Sequence, residues 1–330
     1  MAMGIERFDA SDPTIAKIAR GSLFITSASY EARCLTGVRA VAGNPRKTIV
    51  FWVKGLFPAI EANLGEIEKR IGSESITKVA TDIADPIASA SAIDQAVMAA
   101  LDGNEAQDVL IDITTFTHEH LLFLLKSLST RREKVRSLMC IYSGASDYSY
   151  NDDVERKWLS KGCAEVRSVV GYPGMIYPGV ENVLIIVVGF EHERAKCVMD
   201  EMVPDSLYLG LGEPDSVTDA AHRAPLLLFG KMLEESIAIR QNVHKFSFSA
   251  NNPDDAFKQL KGVIDSTPNC NHIIVPKNTK LSTLAVAAIG LKNPEVQLCY
   301  AQPETYNFEA YSKPSDRIYL LDCADFIFGR

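Results

Sequence analysis

The sequence of 330 residues has no apolar run near the roughly 18 to 20 residues that cross a bilayer. Its greasiest stretches, 121–125 and 183–188, suit a buried helix face and a buried strand. It also lacks the basic-then-apolar start of a secretory leader, opening Met1-Ala2-Met3-Gly4-Ile5-Glu6-Arg7. A cytoplasmic protein without a membrane partner is expected. Positive charge is scarce: 34 Lys and Arg face 42 Asp and Glu, a net charge of −8. A grip on duplex nucleic acid needs an excess of cations along one face, so no such partner is expected. The one basic run, Arg131-Arg132-Glu133-Lys134-Val135-Arg136, reads as the end of a helix, where the dipole favours cations.

Metal and redox spacings are missing too. The seven cysteines, at 34, 140, 163, 197, 270, 299 and 323, include no CxxC and are odd in number. They read as reduced residues, several of them small hydrophobes inside strands, and neither disulfide nor metal is expected. His118-Glu119-His120 sets two imidazoles two residues apart, on different sides of a helix, whereas a zinc protease motif spaces them by four. GxGxxG is also absent, which argues against a standard NAD or FAD site, and no resident cofactor is expected.

What is present is a repeat. "ITKVATDIADP" (76–86) matches "VHKFSFSANNP" (243–253) without a gap, pairing Lys78 with Lys245 and Pro86 with Pro253 at an offset of 167. "LFITSASYEAR" (23–33) resembles "LIIVVGFEHER" (184–194), with Arg33 opposite Arg194 at 161. "LIDITTFTHEHL" (110–121) lies over "IIVPKNTKLSTL" (273–284) at 163, and Tyr142, Tyr148 and Tyr150 meet Tyr300, Tyr306 and Phe308 at 158. Four blocks in one order with near-constant spacing indicate an internal duplication.

Within each copy, β-branched apolar runs alternate with helical stretches. The runs are 23–28, 47–53, 75–81, 108–114 and 137–143, then 183–188, 206–211, 243–248, 272–276 and 296–301. Near-continuous apolar strands separated by helices such as 58–71 and 86–101 mean βαβ crossovers and a parallel sheet covered on both faces. The predicted fold is α/β: two tandem Rossmann-like doubly wound parallel sheets related by duplication. Residues 1–150 form the first module and 181–330 the second. Between them, 151–180 reads as a linker with a charged helix (152–161), an extra strand (165–170) and a Pro/Gly cluster.

In such sheets ligands bind beyond the carboxyl ends of the strands, where strand order reverses; an order of 3-2-1-4-5 puts that point between strands 1 and 4. The residues following those strands are Ser27, Ser29, Arg33, Thr114, Thr115 and Thr117 in one copy. In the other they are Gly189, Arg194, Asn278, Thr279 and Lys280, and Glu213 ends strand 2 where dinucleotide-binding sheets carry a ribose-binding acid. Hydroxyls and free N–H groups at a helix start suit phosphate, with Lys277 and Lys280 adding charge. The same Thr and Asn residues would cap any helix. Arg194 could hold phosphate or pair with a neighbouring acid. Asp112 could be a general acid or fix a turn, and Tyr142 and Tyr300 could stack on bases or pack at a rim. No nucleophile or second carboxylate stands beside Asp112, so the catalytic set is unassigned.

The strand-4 elements, "DITTFT" (112–117) and "PKNTK" (276–280), resemble the Asp/Asn-x-Thr-Gly-Gly-Thr-Lys turn of CARF domains, the Rossmann-like sensors of cyclic oligoadenylates. The first keeps the acid and hydroxyls but neither glycine nor lysine; the second keeps Asn278-Thr279-Lys280 without the acid. SAVED domains, which fuse two CARF-like units, are similar in plan. The resemblance implies a nucleotide-type ligand, a cyclic oligonucleotide or related phosphate-bearing signal, and a sensor role in antiviral defence or stress. As the two copies take up the given length, output through a separate protein partner is expected, and homo-oligomerisation is compatible with the reading. The alternatives are a phosphodiesterase-like or transferase enzyme working in the same cleft, and a non-catalytic assembly subunit.

Overall fold

In the computed structural model, residues 4–148, 159–189, 192–213, 242–308 and 312–329 are described. The chain forms two compact units: residues 1–146 with 312–330, and residues 147–311.

The first unit begins with β1 (Ile5–Asp9), α1 (Pro13–Ala19), β2 (Leu23–Ala28), α2 (Cys34–Val41) and β3 (Lys47–Val53). It continues with α3 (Pro58–Ile71), β4 (Ile76–Thr81), α4 (Pro86–Ala100), β5 (Gln107–Asp112), α5 (His118–Ser129) and β6 (Val135–Tyr148). The second unit holds β7 (Ser160–Lys161), β8 (Glu165–Ser168), β9 (Asn182–Val188), α6 (His192–Met202), β10 (Ser206–Glu213) and β11 (Val243–Ser249). Then come α7 (Pro253–Ser266), β12 (Asn271–Pro276), α8 (Lys280–Lys292), β13 (Gln297–Gln302) and β14 (Thr305–Tyr306). After it, β15 (Ser312–Asp322) and α9 (Ala324–Phe328) rejoin the first unit.

The first sheet has the order β1-β15-β6-β5-β2-β3-β4 and the second β11-β10-β9-β12-β13-β8. Five strands in each, β4-β3-β2-β5-β6 and β11-β10-β9-β12-β13, follow one order and run parallel. That order is 3-2-1-4-5, so the protein is α/β with two Rossmann-like halves. The central strands β2 and β9 are buried almost throughout, as strands covered on both faces must be.

The duplicated blocks recur as equivalent devices. Asp85 accepts from the Ala88 N–H and Pro86 occupies the first turn of α4; Asn252 accepts from Asp254 and Asp255 N–H and Pro253 does the same for α7. Proline suits that turn because its missing N–H would have no partner there. Thr117 caps α5 and Thr279 caps α8, so their equivalence is shifted by one residue from the ungapped alignment, which set Thr117 opposite Lys280.

Three expectations change. Residues 312–330 were assigned to the second module, but β15 pairs antiparallel with β1, from Ile5 with Leu321 to Asp9 with Arg317. The apolar Ile318–Leu321 stretch is buried, with Ile318 and Leu320 in the core shared with α1, α2 and β2. Within 151–180, the extra strand is β8, antiparallel to β13 at the edge of the second sheet, rather than part of a linker. The charged helix at 152–161 falls mostly outside the described residues, and its last two positions form strand β7. Among the described residues, no helix is long and apolar enough to cross a membrane.

Candidate functional site

In the first unit the strand ends form a closed polar network. Asp112, at the tip of β5, is 1 % exposed. Its Oδ1 accepts from the Thr114 N–H at 3.1 Å and from the Thr114 hydroxyl. Thr114 Oγ1 in turn accepts the Ser143 N–H at 2.9 Å, tying β5 to β6. Asp112 Oδ2 has no hydrogen-bond partner and lies against Gly37 of α2. Burial pushes the Asp112 carboxyl up to about 6, against the lowering effect of the Thr114 bonds and the Arg33 charge.

Arg33 is buried and spent. Its Nη2 and Nε meet Glu31 Oε2 at 2.6 and 3.0 Å, Nε meets Ser312 Oγ at 3.0 Å, and Nη1 donates to the Ser143 carbonyl at 3.1 Å. Thr115 donates to the Ser27 carbonyl at 2.8 Å and bridges the two strands flanking the reversal point. Thr117 accepts the His120 N–H at 3.0 Å as a cap. Ser29 Oγ accepts the Glu31 N–H at 3.3 Å, and its carbonyl takes Asn63 Nδ2 at 2.7 Å. Ser29, Arg33 and Thr114 thus join one chain of hydrogen bonds through Glu31 and Ser143, while Thr115 clamps the Ser27 carbonyl and Thr117 caps α5.

The second unit is built differently at the same place. Gly189, after β9, packs on the Lys277 carbonyl so closely that a Cβ would overlap the oxygen. Gly212, near the end of β10, lies under the Asn278 amide, where a Cβ would stand 2.7 Å from Nδ2. Asn278 Nδ2 donates to the Val188 carbonyl at 2.6 Å and Oδ1 accepts the Thr279 N–H at 2.9 Å. Thr279 Oγ1 accepts the Ser282 N–H at 3.2 Å and donates to the Ala250 carbonyl at 2.7 Å. Two glycines, one asparagine and one threonine therefore bring the ends of β9, β10 and β12 together at the start of α8. Half-buried Lys280 stands in the first turn of that helix, and Lys277 is buried behind it. Glu213 is exposed at the end of β10.

Arg194 leaves this turn. It donates to Ser160 Oγ at 3.2 Å and lies over the Tyr300 ring at 5.8 Å, with Arg167 5.7 Å from the same ring. Arg33 and Arg194 both reach the fifth strand of their own unit, a shared role as pins. Tyr142 and Tyr300 are buried, so neither stands open to stack on a base. His120 is buried and rests 5.9 Å from the Phe123 ring. Among the described residues, no three His, Cys, Asp or Glu side chains converge to hold a metal. Sequence reasoning passed over Gly37 and Ser143. A glycine inside an apolar helix was the available signal for the first.

No family model matches the chain, and no curated protein matches it. Among solved structures, the N-domain of a bacterial malonyl-CoA reductase with NADP aligns over 84 % of this chain and 78 % of that one, at 11 % identity and a TM-score of 0.23. A resemblance at that level transfers neither ligand nor activity.

Proposed function

We propose that this chain binds a phosphate-bearing nucleotide signal of the cyclic-oligonucleotide kind and passes it to a separate protein partner in a bacterial defence or stress system. The observation that carries this reading is the second unit's turn. Gly189 lets the chain after β9 pack on the Lys277 carbonyl where strand order reverses, Gly212 of β10 makes room for the Asn278 amide beside it, and α8 starts there with Lys280 in its first turn. Backbone N–H groups at a helix start, together with the dipole, favour an anion, and an open α/β sheet places its ligand at that crevice. The likeness of Asn278-Thr279-Lys280 to the CARF turn supports the same ligand class. Binding is favoured over turnover because the first unit's acid, Asp112, presents its unpartnered oxygen to the backbone of α2.

The test is Lys280→Ala, titrated with a panel of cyclic and linear oligonucleotides by calorimetry, with the products analysed chromatographically. A charge-assisted phosphate contact contributes roughly 1.5 to 3 kcal/mol, so affinity should fall by about ten- to a hundredfold. Melting temperature should hardly change. Turnover of the ligand would favour the enzyme reading, and silence across the panel would favour an assembly subunit.

A further inference from the structure

Three residues of α6 meet one short stretch of chain. Glu193 Oε2 accepts the Gly162 N–H at 2.8 Å, Arg194 donates to Ser160 Oγ at 3.2 Å, and Cys197 and Cys163 pack against one apolar core, their thiols close enough to act on each other. Positions 193 and 197 are one helical turn apart and share a face. Gly162, at φ 69°, turns the chain between β7 and β8 so that Gly162 and Cys163 address that face in succession. Both sulfurs are half-buried and pack on the apolar core formed by β9, α6 and β13. The charges of Lys277 and Arg194 act on Cys163. A second pair of neighbouring thiols, Cys140 and Cys323, is fully enclosed.

We propose that Cys163 and Cys197 are a redox modification site at which a peroxide closes an intramolecular disulfide. Cys197 sulfur attacks a peroxide oxygen and the O–O bond breaks; the departing hydroxide takes the thiol proton and leaves as water. Cys163 sulfur then attacks the sulfenic sulfur, the S–S bond forms, the S–O bond breaks, and the oxygen leaves with the second thiol proton as water. Two thiols lose two electrons and hydrogen peroxide gains them, giving one disulfide and two waters. Thiol access controls the first step, which separates this pair from the enclosed Cys140 and Cys323. Burial pushes the Cys163 thiol up to about 12, which disfavours it as the thiolate that meets the peroxide first. Because the Gly162–Glu193 bond already holds the turn against this face of α6, the two thiols start as neighbours. The crosslink would fasten the β7–β8 turn to α6 beside Arg194, whatever ligand the protein binds.

The full-length reduced protein is titrated with hydrogen peroxide and its non-reduced peptides are mapped by mass spectrometry. The expected result is a crosslink between Cys163 and Cys197 within one chain, reversed by dithiothreitol, with loss of two of the seven thiols. Cys140→Ser should leave the crosslink intact, and Cys197→Ser should abolish it. Recovery of Cys163 and Cys197 as free thiols or as separate sulfinic acids overturns the proposal, as does a crosslink between chains. The map of the unsubstituted protein decides this even where a variant fails to fold.

Discussion

Gly37 lies directly against the carboxyl group of Asp112. A Cβ at position 37 would overlap Oδ2 and stand 2.8 Å from Cγ, with Ile141 Cδ1 at 2.9 Å on the other side. The backbone of α2 therefore seals the end of β5, leaving one carboxyl oxygen dry and the other bonded to Thr114.

Gly37→Ala tests that contact. Alanine inside a helix ordinarily stabilises by about 1 kcal/mol over glycine. Here overpacking against a fixed carboxyl should reverse the sign and cost about 1–3 kcal/mol in urea unfolding at pH 7. Combined with Asp112→Ala the cost should shrink, because the clashing oxygen is gone. A net gain in the single variant would refute the packing.

Asp112 also predicts a pH dependence. Its folded pKa of about 6 lies above the ordinary 3.8, so the folded state holds the proton more tightly than the unfolded one. This group's contribution is fully present below about pH 4 and is lost as pH rises to about 6, a difference of roughly 3 kcal/mol. Denaturant unfolding at pH 4 to 7 should show that slope in the wild type minus Asp112→Asn difference. Parallel curves for the two proteins would place the carboxyl in a wetter setting than its burial indicates.

Gly189→Ala sets a Cβ against a main-chain carbonyl, which cannot swing away as a side chain can. The second unit should lose hydrogen-exchange protection in β9 and β12, while β2 and β5 of the first keep theirs. Unchanged protection in β12 would show that the turn can open without cost.

The two equivalent caps should differ in weight. Thr117→Ala removes one accepted N–H and should cost about 1 kcal/mol. Thr279→Ala loses the same kind of bond and also leaves the Ala250 carbonyl without its 2.7 Å donor, so its cost should be larger. Serine at either position should restore most of the loss. Equal melting temperatures for the two alanine variants would sink this comparison.

The parallel cores were legible because strands buried on both faces announce themselves, and β2, β3 and α3 fall where their apolar runs and flanking residues place them. Repeated Pro86 and Pro253 marked equivalent helix starts. β15 was illegible: its first half, Ser312 to Arg317, is polar and contains Pro314, and its partner β1 lies some three hundred residues earlier. Following the second module, it was assigned there by default. At the strand ends, residue type identified the caps, while the partners of Arg33 and Arg194 depend on long-range approach. Ser143 and Ser312 carry no local signal that they meet Arg33.

The return of β15 to the first unit makes the order of synthesis matter. Residues 147–311 form a unit whose strands are all available before residue 312 is made. The first unit, begun earlier, must wait: the outer edge of β6 is covered only when 312–322 emerge and insert between it and β1. Until then the nascent chain carries an uncovered β-edge and a β1 without its partner, the kind of surface that templates association with other chains. A chain stopped at Tyr311 should reproduce that state permanently, with a folded second unit and a first unit prone to aggregate. Limited proteolysis of that truncated chain, read beside its sedimentation, would show whether the late strand is what keeps the early unit soluble.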